Sequence, residues 1–525
     1  MGLGLALLCF GWLVARSSFL IDDAFISFRY ARNWADGVGL VYGFAAEAPV
    51  EGYSNFLWVA LLALAARADF MLETASRVIS IGAGVTLVIL LHRFLARGLR
   101  LGLAATTLGT LALATFPPFT FWCTGGLETA LFALLLFAGF ALLVGERAPA
   151  RDAVTGALAG LAALGVALLR PEGFAWIPVL GVVALAHGGR RVRPFLLVSV
   201  AGFALFLLWR HAIYDAWLPN TVQAKAGLSG AVLMRGLRSS ATYLLLFVTP
   251  LLAPLVLLGR GSGNRRAQGA AACLCFAAAL AFNTVVGGDW MPMFRFLAPV
   301  TPFLAILLAL GVERLGGVRG PVLGTLGVAL ALLPAFGHSL VPRPVRAALY
   351  FRTFRTGYET EWARWQRSRE NLQVFVFIGK GLAQIAAPGD SMTCGAIGAI
   401  GYYSGIEILD RNGLIDRAVA ARPAALGART AGHDKRVPRA YFLDSDPTFF
   451  EALFIPDPAV SFERAARILR ARIESDGEAA LFEHCVPEAH PLRAGDGLPA
   501  GARLLVLRRA EPGEASAAWA RLGYS

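Results

Sequence analysis

Lysine is nearly absent from this 525-residue chain: of 48 basic side chains only Lys225, Lys380 and Lys435 are not arginine. Charge of either sign is scarce, at 16% of residues, where soluble domains carry about 25%. That deficit excludes an ordinary soluble domain. The net charge of +13 would suggest nucleic acid in a soluble protein, but no basic stripe interleaves with aromatics, so no nucleic-acid partner is expected. Cysteine says little. Cys9, Cys273 and Cys275 lie in apolar runs, Cys123, Cys394 and Cys485 in more polar stretches, and no metal-ligand spacing occurs. A Cys394–Cys485 disulfide stays open if the tail is extracytoplasmic. The N-terminus lacks a basic n-region and an Ala-x-Ala cleavage site, so residues 2–20 read as a retained membrane helix.

What the chain has instead is apolar sequence, 57% hydrophobic with a mean hydropathy of +0.60. Long apolar runs recur to about residue 340 and then stop. This pattern gives a polytopic α-helical membrane protein, residues 1–340, with a C-terminal extracytoplasmic α+β domain, residues 341–525. Candidate spans are 2–20, 74–95, 101–117, 127–145, 153–169, 174–187, 194–213, 240–259, 267–286, 296–312 and 320–337. Several are shorter than the roughly 20 residues a crossing needs, so their ends extend into neighbouring sequence, and the doubtful segment is the short apolar run 55–67. If it lies in the interface or re-enters, the arginine-rich loops (Arg93, Arg97 and Arg100; Arg147 and Arg151; Arg190, Arg191 and Arg193; Arg260, Arg265 and Arg266; Arg314 and Arg319) all fall on one side, the cytoplasm. About eleven spans follow, with the N-terminus inside, the C-terminus outside and a first outer loop over 21–73.

In that frame every chemically unusual cluster shares the outer face. The first is an island of carboxylates, Arg and aromatics from Asp22-Asp23 to Asn55; charge at a membrane exit is costly unless solvated or paired. The others are Trp122 to Glu128, Arg170-Pro-Glu-Gly173, Tyr214 to Thr221 with Lys225, and Gly287 to Arg295. Plainer roles compete with chemistry here. Trp122, Trp217 and Trp290 suit interfacial anchors, Glu128 can cap the helix that follows, and Arg170–Glu172 can be an ion pair that stops a helix. Asp22 or Asp23 can cap a helix over 24–35, although capping needs only one residue. In that helix Phe25, Phe28 and Ala31 share a face spaced to lie on the membrane. Asp22, Arg29, Asn33 and Asp36 share another.

In the tail, Leu372–Ile378 and Leu504–Leu507 read as strands and Phe462–Ile473 as an amphipathic helix. The Gly-rich stretch Ser391 to Asp410 reads as a turn between extended pieces. Its spacing fits neither a phosphate loop nor a dinucleotide fingerprint.

Taken together these residues resemble the GT-C membrane glycosyltransferases that use polyprenyl-phosphate sugars, most of all the mycobacterial terminal arabinofuranosyltransferase AftB family. The likeness rests on Asp22 to Asn33, Gly39 to Tyr42 and Glu51 to Trp58. Gly126 to Thr129, Arg170 to Gly173, Leu218 to Thr221 with Ala224 and Lys225, Gly287 to Asp289, and Arg295-Phe296 add to it, as do Gly398 to Ser404, Asp410 and Gly413 to Asp416 in the tail. Cys394 departs from the pattern. The resemblance implies a polyprenyl-phosphate sugar donor, arabinofuranose being one option, and a glycan or lipid acceptor. It also implies catalysis by a first-loop Asp on the outer face of a bacterial plasma membrane.

Such a transfer needs a base for the acceptor hydroxyl, cations for the departing phosphate and polar contacts for the sugar. Asp22 and Asp23 are the candidate bases, Asp22 favoured because it shares a stripe with Arg29. Arg29, Arg170, Lys225 and Arg295 are candidate phosphate holders. Glu51, Tyr53, Asn55, Glu128, Glu172, Asn220 and Asp289 are candidate sugar or acceptor contacts. No metal or cofactor is required, though Asp22, Asp23 and Asp289 could bind a divalent cation. The rival readings are a transporter or flippase of lipid-linked sugars, which the lack of mid-span charge and of repeat symmetry disfavours, and a non-catalytic glycan-binding scaffold.

Overall fold

The computed structural model describes residues 1–43, 49–145, 150–187, 189–225, 227–252, 264–352, 358–427 and 431–524; Arg147 and Arg260 lie outside them. The helices are α1 (Gly2–Arg16), α2 (Asp22–Ala35), α3 (Phe56–Arg67), α4 (Leu72–Arg93), α5 (Leu103–Thr115), α6 (Pro117–Trp122), α7 (Thr129–Val144), α8 (Asp152–Leu169), α9 (Trp176–His187), α10 (Val192–Tyr214), α11 (Asn220–Lys225), α12 (Gly230–Tyr243), α13 (Thr249–Leu252), α14 (Asn264–Val285), α15 (Thr301–Leu315) and α16 (Arg319–Leu332). After them come α17 (Arg343–Ala348), α18 (Glu361–Ile385), α19 (Ile397–Ser404), α20 (Arg417–Ala421), α21 (Phe462–Ser475) and α22 (Glu514–Arg521). Among the described residues seven helical segments are apolar and long enough to cross a bilayer, from Leu72–Gly98 to Arg319–Phe336, and five shorter apolar helices accompany them.

The connecting segments gather at two ends. At one, Arg265 donates to the Arg100 carbonyl at 3.1 Å, and the Gly102 amide donates to Glu313 at 2.9 Å. There too, Arg191 pairs with Asp152 at 2.7 Å and donates to the Leu142 carbonyl. At the other end the Trp58 indole donates to the Gly126 carbonyl, the Trp122 indole to the Pro292 carbonyl and the Tyr214 hydroxyl to the Leu40 carbonyl. The arginine-rich loops therefore meet one another, and the chemically unusual clusters meet opposite them. Helix α3 starts and finishes at the second end: Asn55 before it bonds Glu128, and Glu73 after it accepts from Tyr403 of the tail.

The tail carries a five-stranded mixed sheet in the order β2 (Glu407–Asp410), β1 (Ser391–Cys394), β3 (Phe449–Ile455), β5 (Arg503–Arg509), β4 (Cys485–Pro491). Strand β1 runs parallel to both neighbours, and β3, β5 and β4 are antiparallel. Side chains alternate along β5. Leu505 and Leu507 face a separate core with Leu469, Ile473 and Trp519, while Leu504 and Val506 belong to the core shared with the membrane helices.

Three expectations change here. The run Leu372–Ile378 is helical, inside α18. Thr360 caps that helix by accepting from Ala363 at 3.1 Å. Gly379 lets it close on α19, where a Cβ would sit 2.9 Å from the Ala399 carbonyl. Tertiary packing overrides the β-propensity of Val-Phe-Val-Phe. The Gly-rich stretch is not a turn but β1–α19–β2, a strand–helix–strand unit. Cys394 and Cys485 are both free. They sit on β1 and β4 with two strands between, roughly 14 Å at sheet spacing and beyond disulfide reach.

Candidate functional site

Helix α2 is the centre of the site, but it does not float on the membrane. Phe25, Phe28 and Ala31 are buried, and both phenylalanines pack edge-on against Tyr402 of α19. Nor do the aspartates cap α2. The cap position is Ile21, with no side-chain cap bond, and Asp22 and Asp23 open the first turn.

Asp22 caps a different helix. Its carboxylate accepts the amides of Ala399 at 2.8 Å and Gly398 at 3.2 Å, two of the orphan donors at the start of α19. At the far end of α19, Arg29 donates to the carbonyls of Gly401 and Ile406, both at 2.9 Å, and Arg32 donates to that of Tyr402. An acid at the N-terminus and bases at the C-terminus complement the helix dipole from outside. The Tyr42 hydroxyl adds a bond to the Ile397 carbonyl. Glycines make the contact possible: a Cβ on Gly398 would lie 1.9 Å from the Asp22 carbonyl oxygen, and one on Gly401 1.9 Å from the Tyr42 hydroxyl. Arg29 is thus placed as a tail anchor, away from the open pocket. Burial pushes the Asp22 carboxyl up to about 7; the Asp23 charge adds to this, and the amide bonds only partly offset it.

Asp23 is placed differently. Among the described residues nothing donates to it, and it lines a pocket with Asp22, Lys225, Trp290, Asn412 and His433. Its charge is felt at Arg295 and at His433. His433 donates from Nδ1 to the Ala431 carbonyl at 3.1 Å, and burial pushes its imidazole down to about 4, so it is neutral.

Beside this pocket lies a buried network around Glu128. One carboxylate oxygen takes Arg295 at 2.5 Å and Arg170 at 3.3 Å, and the other accepts from Asn55 at 2.9 Å. Asn55 in turn accepts from Ser27. Arg170 also pairs with Glu172 at 3.0 Å. Asn55, Glu128, Arg170, Glu172 and Arg295, from four distant stretches, therefore meet. The buried Nε of Arg295 has no partner among the described residues. Arg170 and Glu172 also line the site end of an apolar groove between α9 and α14, walled by Phe132, Trp176, Val179, Phe282 and Phe296.

The remaining candidates hold the scaffold. Glu51 pairs with Arg210 at 2.9 Å, and its carbonyl accepts the Asn220 amide. Burial pushes the Glu51 carboxyl up to about 7 against the pull of Arg210. The Tyr53 and Tyr214 hydroxyls bond each other. The Asn220 side chain donates to the Gly413 and Leu414 carbonyls, tying α11 to the tail. Both Asp289 oxygens accept amides of its own loop, from Met291 and Phe296. Asp22 and Asp289 are thus committed to backbone donors. Among the described residues no three His, Cys, Asp or Glu side chains group as metal ligands. Trp122 is fully buried instead of anchoring an interface, Trp217 is exposed and stacked on His211, and Trp290 lines the pocket. Asn412 and His433 were not legible in the sequence, because only the packing of the tail brings them to Asp23.

The whole fold has a counterpart among solved structures. ArnT from Cupriavidus metallidurans bound to undecaprenyl phosphate superimposes with a TM-score of 0.58 at 15% identity, over 97% of this chain and 98% of that one. The apo state of the same protein gives 0.53 at 14% identity, over 96% and 97%. At that identity the likeness is one of fold: a helical membrane domain of GT-C type carrying a C-terminal sheet domain. A family model described as a domain of unknown function, DUF8728, matches residues 360–482. No curated protein sequence matches the chain.

Proposed function

We propose that this chain is a membrane glycosyltransferase that moves a sugar from a polyprenyl-phosphate donor to a hydroxyl of a glycan or lipid, with Asp23 as general base. The observation that carries this is Asp23 itself. It is an uncommitted carboxylate in a pocket, its charge reaches Arg295, and Arg295 shares Glu128 with Arg170 at the end of an apolar groove among membrane helices. Fold likeness to a protein solved with undecaprenyl phosphate supports the lipid, but the chemistry has to come from the site.

In the proposed reaction a prenyl chain lies in the groove between α9 and α14, which brings its phosphate to Arg170, Arg295 and Lys225. Asp23 removes the acceptor proton as the new C–O bond forms at the anomeric carbon. The bond to the phosphate oxygen breaks, and polyprenyl phosphate leaves with its electron pair. Two guanidiniums meet the two carboxylates of Glu128 and Glu172, so the leaving group is met by the donors left over, the unpartnered Arg295 Nε and the Lys225 ammonium. A single displacement inverts the anomeric centre. The scheme needs no metal. Arabinofuranose is the finer reading of the donor, and it rests on the resemblance in the first-loop motif. In this reading eleven helices cross, α3 lies in the plane of the membrane, and the site and the tail face the extracytoplasmic side of a bacterial plasma membrane; the gathering of the arginine-rich loops at the opposite end supports it.

The test is reconstitution in lipid nanodiscs with a panel of polyprenyl-phosphate pentoses and hexoses and envelope glycans as acceptors. Chain-dependent release of polyprenyl phosphate with sugar transfer is expected. In sealed vesicles, movement of the lipid-linked sugar across the bilayer without release would establish the transporter reading instead.

A further inference from the structure

The pocket that holds Asp23 is half built by the tail. Gly395 follows β1 and Asn412 follows β2, so the pocket sits at the carboxyl ends of parallel strands, where open α/β sheets gather ligands. The turn bearing Asn412 is held rigidly. Asp410 accepts the amides of Asn412 at 2.8 Å and Ile415 at 3.1 Å, and also that of Leu414. Arg411 reaches Glu478 at 2.7 Å and the Val437 carbonyl at 3.1 Å. None of these bonds uses the Asn412 side chain.

Asn412 as a residue is 8% exposed. Its Nδ2 donates to the Gly395 carbonyl at 2.6 Å. A carbonyl only accepts, so the amide orientation is set and the remaining atom is Oδ1. Oδ1 is buried and no described residue donates to it. A buried acceptor without a donor is costly, and native structures rarely keep one without a ligand or water to fill it. Its companions in the pocket include the Trp290 indole, the His433 imidazole, the Lys225 ammonium and the carboxyls of Asp22 and Asp23. A flat aromatic face with acceptors and a cation around it matches a saccharide, whose C–H face is apolar and whose hydroxyls donate.

Resting on the transferase reading, we propose that this pocket is a saccharide subsite in which Asn412 Oδ1 accepts a hydrogen bond from a sugar hydroxyl. The tail then contributes a specificity residue to the reaction as well as covering it. The hydroxyl belongs either to the donor sugar or to the acceptor.

The full chain in nanodiscs decides this with Asn412→Ala. The binding probes are decaprenyl-phosphate arabinofuranose, undecaprenyl-phosphate hexoses and bare polyprenyl phosphate; acceptor KM is read from turnover. Loss of one hydrogen bond predicts about a two- to tenfold weakening of the sugar-bearing lipids, if the donor sugar is held, or an equal rise in acceptor KM, if the acceptor is held. Bare polyprenyl phosphate should bind as before. Unchanged sugar-lipid affinity together with unchanged acceptor KM would overturn the subsite while leaving the transferase reading intact. Asn412-dependent sugar binding without any turnover would do the reverse. Should Asn412→Ala not fold, Asn412→Asp assayed for binding at acidic pH, where the new carboxyl is protonated and donates to the Gly395 carbonyl as the amide did, keeps an acceptor oxygen toward the pocket: retained preference for sugar-bearing lipid is expected, and its loss overturns the proposal.

Discussion

At the scale of single residues, two adjacent aspartates have separate duties. Both line the pocket, but Asp22 spends both oxygens on α19, while the Asp23 carboxylate has no donor among the described residues. The Asp22 carboxyl is raised from 3.8 to about 7 by burial. Between those values the folded state holds a proton that the unfolded chain has released, so stability falls as pH rises from about 4 to about 7 and levels off above. Thermal unfolding across that range should show this slope, and Asp22→Asn should reduce it, leaving the share that the raised Glu51 carboxyl contributes; an unchanged slope in the variant would assign the effect elsewhere. The sequence announces the pair and the partners Asn55, Glu128, Arg170, Glu172 and Arg295. It does not show which aspartate is free, because the donors to Asp22 lie 376 and 377 positions away.

At the scale of elements, docking of α19 along α2 joins the tail to the membrane domain. Helix α2 is legible from its periodicity, but its partner is not: its apolar face, spaced as if for lipid, meets Tyr402 instead. Helix α19 is hidden because glycine lowers helix propensity by about 1 kcal/mol per residue. Here Gly398 and Gly401 serve close approach. Gly398→Ala is therefore expected to lift α19 from α2 even though alanine favours helices. Hydrogen exchange should rise across 397–406 and transfer should fall. Protection equal to the wild type would show that the contact is not tight. Helix α3 reads from the arginine pattern as a segment that does not cross, and Asn55 before it and Glu73 in the first turn of α4 both bond at the site end.

At the scale of the whole molecule, positively charged loops cluster at one end and the acid, arginine and aromatic clusters at the other, under a sheet domain that shares their core. Composition and loop charge carry that much of the fold. The order of the tail strands and the seating of the tail over Asp23 depend on long-range packing that local sequence does not encode. Single cysteines introduced into a cysteine-free background should react with an impermeant maleimide from outside at Gly389 and Asp457 of the tail, and only after permeabilisation at Arg97 and Arg319; the opposite pattern would invert the topology. The most direct measurement is polyprenyl-phosphate release in single turnover by wild type, Asp22→Asn and Asp23→Asn in nanodiscs. Removal of the general base predicts a loss of about 10²- to 10⁴-fold for Asp23→Asn, with Asp22→Asn within about tenfold of wild type, as the loss of one amide bond would give. A wild-type rate in Asp23→Asn, or a larger loss in Asp22→Asn than in Asp23→Asn, would contradict the account.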